Sequence, residues 1–161
     1  MALHLFNLST APREPVVVAK LPRKVRSADL TYAKFIVERT GWWGVSRGMV
    51  PGDDLFIRVG GQFFESGLYA HAPSNYTVEL GGGWKTLTVG YGLQDGYEGP
   101  VRFVILGDGK ELFRSDVVKD HTLRKVSVSV KKVRQLELVV ESAVQGNGGA
   151  WGMWIEPEIG R

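Results

Sequence analysis

A strict alternation of apolar and polar residues is the feature that most constrains this chain. Between positions 55 and 140, six runs place an apolar side chain at every second position, which is the period of a half-buried β-strand. The runs are Leu55/Ile57/Val59, Tyr76/Val78/Leu80, Leu87/Val89/Tyr91, Val101/Phe103/Ile105, Val126/Val128/Val130 and Leu136/Leu138/Val140. Glycine-rich turns such as Gly81-Gly82-Gly83 and Gly107-Asp108-Gly109 separate them. The pattern predicts an all-β sandwich of two antiparallel sheets.

Length and composition agree with one domain of this class. The chain has 161 residues, of which 43% are hydrophobic, enough for a sizeable core. It has no cysteine, which excludes disulfides, thiolate metal sites and cysteine nucleophiles. Residues 29–39 fit either one strand or a short helix, and both interpretations stay open.

The excess positive charge lies at the N-terminal end. Residues 1–26 carry five Lys or Arg side chains against Glu14, whereas the rest of the chain has 15 basic and 16 acidic residues. Prolines interrupt this segment, so we expect residues 1–26 to form a basic tail or linker that can donate an edge strand, and residues 27–161 to form the sandwich. Because the charge excess is not on the sandwich, we expect no nucleic-acid partner.

Four motifs follow one another in a recognisable order. They are Gly41-Trp42-Trp43-Gly44, the segment Gly67-Leu68-Tyr69-Ala70-His71-Ala72-Pro73-Ser74, the hairpin segment 103–112, and the late Trp151. In this order the chain resembles the NPCBM family of carbohydrate-binding modules, over roughly residues 29–157. It departs from the family pattern just before Trp151, where Gln145-Gly146-Asn147-Gly148-Gly149-Ala150 stands in place of an Asp and often a His.

The resemblance implies a jelly-roll β-sandwich of the galactose-binding-like kind. It further implies that loops or one end of the sheets bind sugar, and that a structural calcium ion can be present. Family members commonly accompany glycoside hydrolases. The expected partner is therefore a carbohydrate, either a galactose-type sugar or a plant or bacterial polysaccharide, and the chain is expected to be tethered to a glycoside hydrolase.

Sugar recognition combines an aromatic ring, which packs on the C–H face of the sugar, with planar polar groups that bond its hydroxyls. The candidate residues are Trp42, Trp43, Tyr97, Trp151 and Trp154 for the rings, and His71, Gln94, Asp95, Glu98 and Asn147 for the polar groups. We expect Gly90–Pro100 to be a glycine-rich loop that presents four of them, or else an ordinary solvated hairpin loop. Each tryptophan has core packing as its alternative, and His71 has a structural hydrogen bond.

No cofactor is required by the sequence, and a structural calcium ion would have only oxygen ligands. The available carboxylates are Asp53-Asp54, Asp95 and Asp108. Three scattered histidines without a cysteine do not predict a zinc site. The metal ligands themselves are not identifiable from the sequence.

The predicted function is non-catalytic carbohydrate binding that brings an attached or partner glycan-processing enzyme to its substrate. No motif of a known catalytic constellation is present, so we expect no enzymatic activity. The alternative is a protein-interaction or structural sandwich that has lost sugar binding, which the departure before Trp151 favours. Residues 1–11 read neither as a signal peptide nor as a membrane span, while the resemblance implies an extracellular or cell-surface location.

Overall fold

The computed structural model describes residues 14–52 and 56–161, and almost all of its regular structure is β-strand. A single 3₁₀ turn occupies Val18–Lys20. The strands are β1 Ser27–Asp29, β2 Phe35–Arg39, β3 Ile57–Val59, β4 Gln62–Phe64, β5 Gly67–His71, β6 Ser74–Glu79, β7 Thr86–Leu93, β8 Val101–Gly107, β9 Lys110–Arg114, β10 Arg124–Ser129, β11 Gln135–Ser142 and β12 Trp151–Gly160.

Two five-stranded antiparallel sheets pack face to face. In the first sheet, β12 pairs with β7 on one side and with both β5 and β1 on the other, and β7 continues to β10. The second sheet has the order β2-β6-β11-β8-β9. The predicted all-β sandwich is therefore confirmed. Both interpretations of residues 29–39 are wrong, because β1 ends at Asp29 and β2, a strand of the other sheet, occupies Phe35–Arg39.

The predicted alternation sets which side chains fill the main core between the sheets. Leu87, Val89 and Tyr91 of β7 are buried, as are Leu136 and Leu138 of β11. A large buried aliphatic side chain contributes about 1.5–3 kcal/mol of transfer free energy. In β7 and β11 the alternating run therefore marks the face that points into the main core. Leu55 of the first run lies outside the described residues.

A second, smaller core lies on the outer face of the first sheet. There the hairpin β3–β4 covers Met153 and Ile155 of β12, with Ile57 and Val59 as its own buried residues. Since β12 is covered on both faces, most of its residues are apolar rather than alternating with polar ones. The hairpin approaches closely because β7 has glycine at position 92, where a Cβ atom would lie 2.7 Å from Val59 Cγ1.

Residues 14–26 lie against the sandwich. Val16 forms a parallel bridge with Ala33, and Val18 is fully buried. The indole Nε1 of Trp84 donates a hydrogen bond of 3.3 Å to the carbonyl of Val18. Of the predicted tail, residues 1–13 lie outside the described part. Across residues 14–52 and 56–161, no helix has the length and apolarity to span a membrane.

Candidate functional site

Three connecting segments meet at one end of the sandwich, where β5 ends and β12 begins. The segment after β2 is tied to β5 by a hydrogen bond of 2.9 Å from the Gly41 amide to the His71 carbonyl. The amide of Gly99, after β7, donates to the Gly149 carbonyl at 3.0 Å. Residues 40–45, 94–100 and 143–150 therefore form one surface, which we call the loop end, while residues 46–48 continue along the edge of β5 toward Gly67.

The loop end is built around an aromatic cluster. Tyr97 stacks on Trp151 with a centroid distance of 4.1 Å and an interplanar angle of 11°. Tyr69 meets Trp151 edge-on at 5.2 Å, and His71 does so at 6.0 Å. Such ring pairs add about 0.5–1.5 kcal/mol each beyond the area they bury. Trp151 is 8% exposed, so it supports the surface while Tyr97, which is half-buried, covers it.

His71 occupies the last position of β5 and is buried. Its Nδ1 lies 2.9 Å from the Ala72 carbonyl, which accepts a hydrogen bond from Nδ1–H. Burial lowers the pKa of His71, and the bond to Ala72 raises it by less. The ring is therefore neutral near pH 7, with Nε2 as its acceptor. In the part of the chain that the structure describes, no group bonds Nε2.

Trp42 and Trp43 are the most exposed rings of the loop end, at 57% and 60%. Trp43 has φ 59°, in the left-handed region that a tryptophan adopts only when its surroundings hold it there. The hydroxyl of Thr40 donates to the carbonyls of both tryptophans, and the Tyr69 hydroxyl donates to the Trp42 carbonyl at 2.7 Å. The two indoles are thus displayed by a braced backbone.

Glycine is required immediately before these tryptophans. A Cβ atom at Gly41 would lie 2.1 Å from the carbonyl oxygen of Ala72. Asn147 strengthens the same junction, because its Nδ2 donates to that oxygen at 3.0 Å and approaches the Gly41 carbonyl at 3.5 Å. Glu98 projects from the neighbouring segment and is exposed. Asn147 therefore joins two loops, while Glu98 is the free carboxylate of this surface.

Gln94 and Asp95 do not join the aromatic cluster. Gln94 is 1% exposed; its Oε1 accepts from the Arg58 amide at 3.0 Å, and its Nε2 donates to the Phe56 carbonyl at 2.9 Å. Asp95 accepts from the amides of Gly60 and Gly61 at 2.9 and 2.8 Å. Both side chains hold the hairpin β3–β4 against the sheet. This corrects the expectation of a loop over Gly90–Pro100, since β7 continues to Leu93.

Trp154 has no exposed surface. It alternates with Trp151 along β12, so its ring enters the main core and meets Phe103 edge-on at 5.1 Å. We therefore assign Trp154 a packing role and leave it out of the candidate site. Its proximity to Trp151 in sequence is misleading because the odd spacing of three residues places the two rings on opposite faces of the strand.

Tyr69 is a site residue that sequence reasoning missed. It stands two positions before His71 on β5 and faces the same side of the sheet. Burial, and to a lesser extent Tyr97, raise the pKa of the Tyr69 hydroxyl well above its ordinary value. The hydroxyl stays protonated and donates to Trp42. The period of two from His71 is the signal that could have identified it.

Two of the four carboxylates named as possible calcium ligands accept hydrogen bonds from backbone amides, and the other two lie outside the described residues. Asp95 bonds two amides, and Asp108 accepts from the amides of Arg134 and Gln135. Both carboxylates therefore already serve as hydrogen-bond acceptors for the backbone. Asp53 and Asp54 lie outside the described residues. Within residues 14–52 and 56–161, no three His, Asp or Glu side chains cluster as metal ligands.

The sequence matches the family model described as NPCBM/NEW2 domain over residues 24–160. A Renibacterium salmoninarum protein that bears the name "Putative endo-alpha-N-acetylgalactosaminidase" is 29% identical to this chain over 122 residues. The alignment covers 71% of this chain and only 8% of that protein. The chain therefore corresponds to a small part of this much longer relative.

Solved structures share the fold. The CBM51-2 and INT domains of Clostridium perfringens ZmpB superpose with a TM-score of 0.76 at 19% identity, over 84% of this chain and 32% of that one. The CBM51 module of Clostridium perfringens GH95, in complex with methyl-galactose, gives 0.74 at 19% identity, over 83% of this chain and 99% of the module. At these identities the likeness establishes the β-sandwich and nothing finer.

Proposed function

The chain belongs to the NPCBM/NEW2 domain family, and from this premise we propose that it binds carbohydrate at the loop end without catalysing a reaction. The observation that carries the proposal is the pair of exposed indoles, Trp42 and Trp43, whose backbone is bonded by the hydroxyl of Tyr69, a member of the aromatic cluster. Two adjacent exposed indoles on a braced loop form an apolar surface of the kind that marks ligand-binding sites.

The chemistry of the loop end suits a sugar. The faces of Trp42, Trp43 and Tyr97 offer apolar surface to the C–H side of a pyranose ring. Glu98 can accept hydrogen bonds from paired hydroxyls, and neutral His71 supplies an acceptor at Nε2. A galactose-type sugar is our first choice, supported by the CBM51 structure solved with methyl-galactose; a plant or bacterial polysaccharide is the second.

We place this binding function in a larger setting. The matched relative carries a glycosidase name and is far longer than this chain. We therefore propose that the module keeps an attached or partner glycan-processing enzyme close to its substrate, outside the cell or at its surface. Weak single-site affinity, about 10⁻⁵–10⁻³ M, is expected for a shallow surface of this kind.

A glycan array and an insoluble-polysaccharide pull-down test the proposal. We expect binding to at least one galactose-containing glycan, and at least about tenfold weaker binding for Trp43→Ala. The matched control is Phe63→Ala, since Phe63 is an equally exposed aromatic residue on β4 and its loss should leave binding unchanged.

The rival function, a protein-interaction sandwich, is judged by the same experiment. No binding to any glycan by the folded chain, with and without calcium, would overturn the sugar-binding proposal. Equal losses for Trp43→Ala and Phe63→Ala would remove the loop end as its location.

Calcium remains a proposal from the family resemblance, with no ligand residues assigned. If a calcium ion binds and stabilises the fold, Tm should fall when EDTA is added and recover with excess calcium. An identical Tm in both conditions would remove the proposal.

A further inference from the structure

A cleft of about 420 Å³ lies at the opposite end of the sandwich from the loop end. Its walls come from residues 19–26, from the turn between β6 and β7, and from the residue after β12. The Lys85 amide donates there to the Gly160 carbonyl at 2.8 Å. Arg23, Arg26, Lys85 and Arg161 line it, and we call it the basic cleft. Its volume lies within the range of small-ligand sites, about 300–1,000 Å³.

In the described residues, none of the four cations of the basic cleft pairs with an Asp or Glu side chain, although Arg26 Nη2 donates to the main-chain oxygen of Arg161 at 3.3 Å. Elsewhere, the arginines at 47, 58, 114 and 124 all form ion pairs with Asp or Glu. None of the ion pairs among residues 14–52 and 56–161 includes Arg23, Arg26, Lys85 or Arg161, and no acidic residue lines the cleft. No acidic side chain therefore cancels the positive charge of this end.

Arg161 is held in place rather than mobile. Its guanidinium lies 4.0 Å from the centre of the Trp84 ring and donates to the carbonyls of Pro22 at 2.7 Å and Leu21 at 3.0 Å. These bonds satisfy donors but leave the charge uncompensated. A cation fixed in this way loses little conformational entropy when an anion binds beside it.

We propose that the basic cleft is a second binding site, which takes the carboxylate or sulfate groups of an acidic oligosaccharide. That the ligand is an anion follows from the positive charge of the cleft, whereas the choice of a saccharide rests on the proposed function. Single-stranded nucleic acid is a poorer match because such sites stack bases on exposed aromatics. The aromatic residue beside this cleft, Trp84, is buried beneath Arg161.

Gly83 provides a matched pair of variants for the test. It lines the cleft, and a Cβ atom there would meet no atom within 4 Å. The variant Gly83→Glu introduces a carboxylate into the cleft, whereas Gly83→Gln introduces a neutral side chain of the same shape. Any difference between the two variants reports charge rather than obstruction.

Isothermal titration of the full chain with dextran sulfate oligosaccharides, neutral dextran of the same length and oligogalacturonate measures the site. We expect both anionic saccharides to bind and neutral dextran not to bind. Gly83→Glu should weaken binding at least about tenfold, with Gly83→Gln within about twofold of the parent. Raising NaCl from 50 to 300 mM should weaken binding further, since exposed charges are screened. Circular dichroism confirms that the variants fold.

Several results would overturn the proposal. Equal binding of neutral dextran, or equal weakening by Gly83→Glu and Gly83→Gln, would show that charge in the cleft is not responsible. Oligothymidylate binding as tightly as dextran sulfate would refute the assignment to saccharides. A chain that binds neutral galactosides at the loop end but no anionic saccharide refutes this site alone. The reverse result would refute the proposed function and leave the anion site standing.

Discussion

Trp43 and Trp151 differ in burial, and this difference decides what a variant at each position can reveal about sugar binding. Trp43 is 60% exposed at the loop end, whereas Trp151 packs among Tyr69, His71 and Tyr97. A sugar can reach the first ring directly but meets the second chiefly through its neighbours. Loss of binding in a Trp151 variant would therefore mix ligand contact with structural support.

The two tryptophans should differ correspondingly in stability. We expect Trp151→Ala to lower the free energy of unfolding by about 3–5 kcal/mol, as for a large aromatic removed from a packed cluster. Trp43→Ala should change it by less than about 0.5 kcal/mol. Urea denaturation followed by far-UV circular dichroism measures both variants. Similar losses in the two would mean that Trp43 is packed rather than displayed.

His71 should make stability depend on pH. Burial lowers its pKa in the folded chain, so the unfolded chain binds its proton more readily. The stabilisation is complete above the unfolded pKa, about 6.5, and is lost as pH falls through the folded value. Urea midpoints should decrease from pH 7 to pH 5. In His71→Asn, whose amide can still donate to Ala72, this decrease should be smaller; an equal decrease would assign it to another group.

At the scale of elements, the hairpin β3–β4 depends on the absence of a side chain in β7. Because a Cβ atom at Gly92 would lie 2.7 Å from Val59 Cγ1, the strand and the hairpin have no room for even a methyl group. Gln94 and Asp95 follow Gly92 by two and three residues and bond the backbone of the same hairpin. These two residues, which the sequence assigned to sugar recognition, therefore hold the hairpin over the second core.

This contact gives a prediction for a pair of variants. Gly92→Ala should destabilise the chain by about 1–3 kcal/mol through overpacking. Adding Val59→Ala should make the double variant more stable than the sum of the single effects by at least about 1 kcal/mol. Gly83→Ala, which meets no atom, is the control. Strict additivity of Gly92→Ala and Val59→Ala in urea denaturation would argue against the contact.

At the scale of the whole molecule, the two proposed sites lie at opposite ends of one strand. Trp151 of the loop end begins β12, and Arg161 of the basic cleft follows its last residue. Ten strand residues span roughly 30 Å, beyond the screening length of about 8 Å at physiological salt. The two ends share no side chain.

Binding at the two ends should therefore be independent. In a chain carrying both Trp43→Ala and Gly83→Glu, the loss of neutral-sugar binding should equal that of Trp43→Ala alone. The loss of dextran sulfate binding should likewise equal that of Gly83→Glu alone. Titration of the double variant with each saccharide measures this. A coupling larger than about 0.5 kcal/mol would mean that the two ends are not independent.

The sequence by itself determined the fold class, the inward face of most strands and the family. The period of two in β7, β8 and β11 is local information, because the backbone of a single strand already fixes which of its side chains share a face. Ordered motifs such as Gly41–Gly44 and Gly67–Ser74 sufficed for the resemblance. Glycines also flank Trp42 and Trp43 in the sequence, and the structure places both outside any strand.

The tertiary structure alone decided which candidate residues meet. Gln94 turned toward the hairpin and Trp154 toward the main core, while Tyr69 joined Trp151, because these outcomes depend on partners from strands distant in sequence. The same holds for the basic cleft, where Arg23, Lys85 and Arg161 come together only through the pairing of β1, β7 and β12. Local alternation specifies a face; only the packed sheets specify the neighbours on that face.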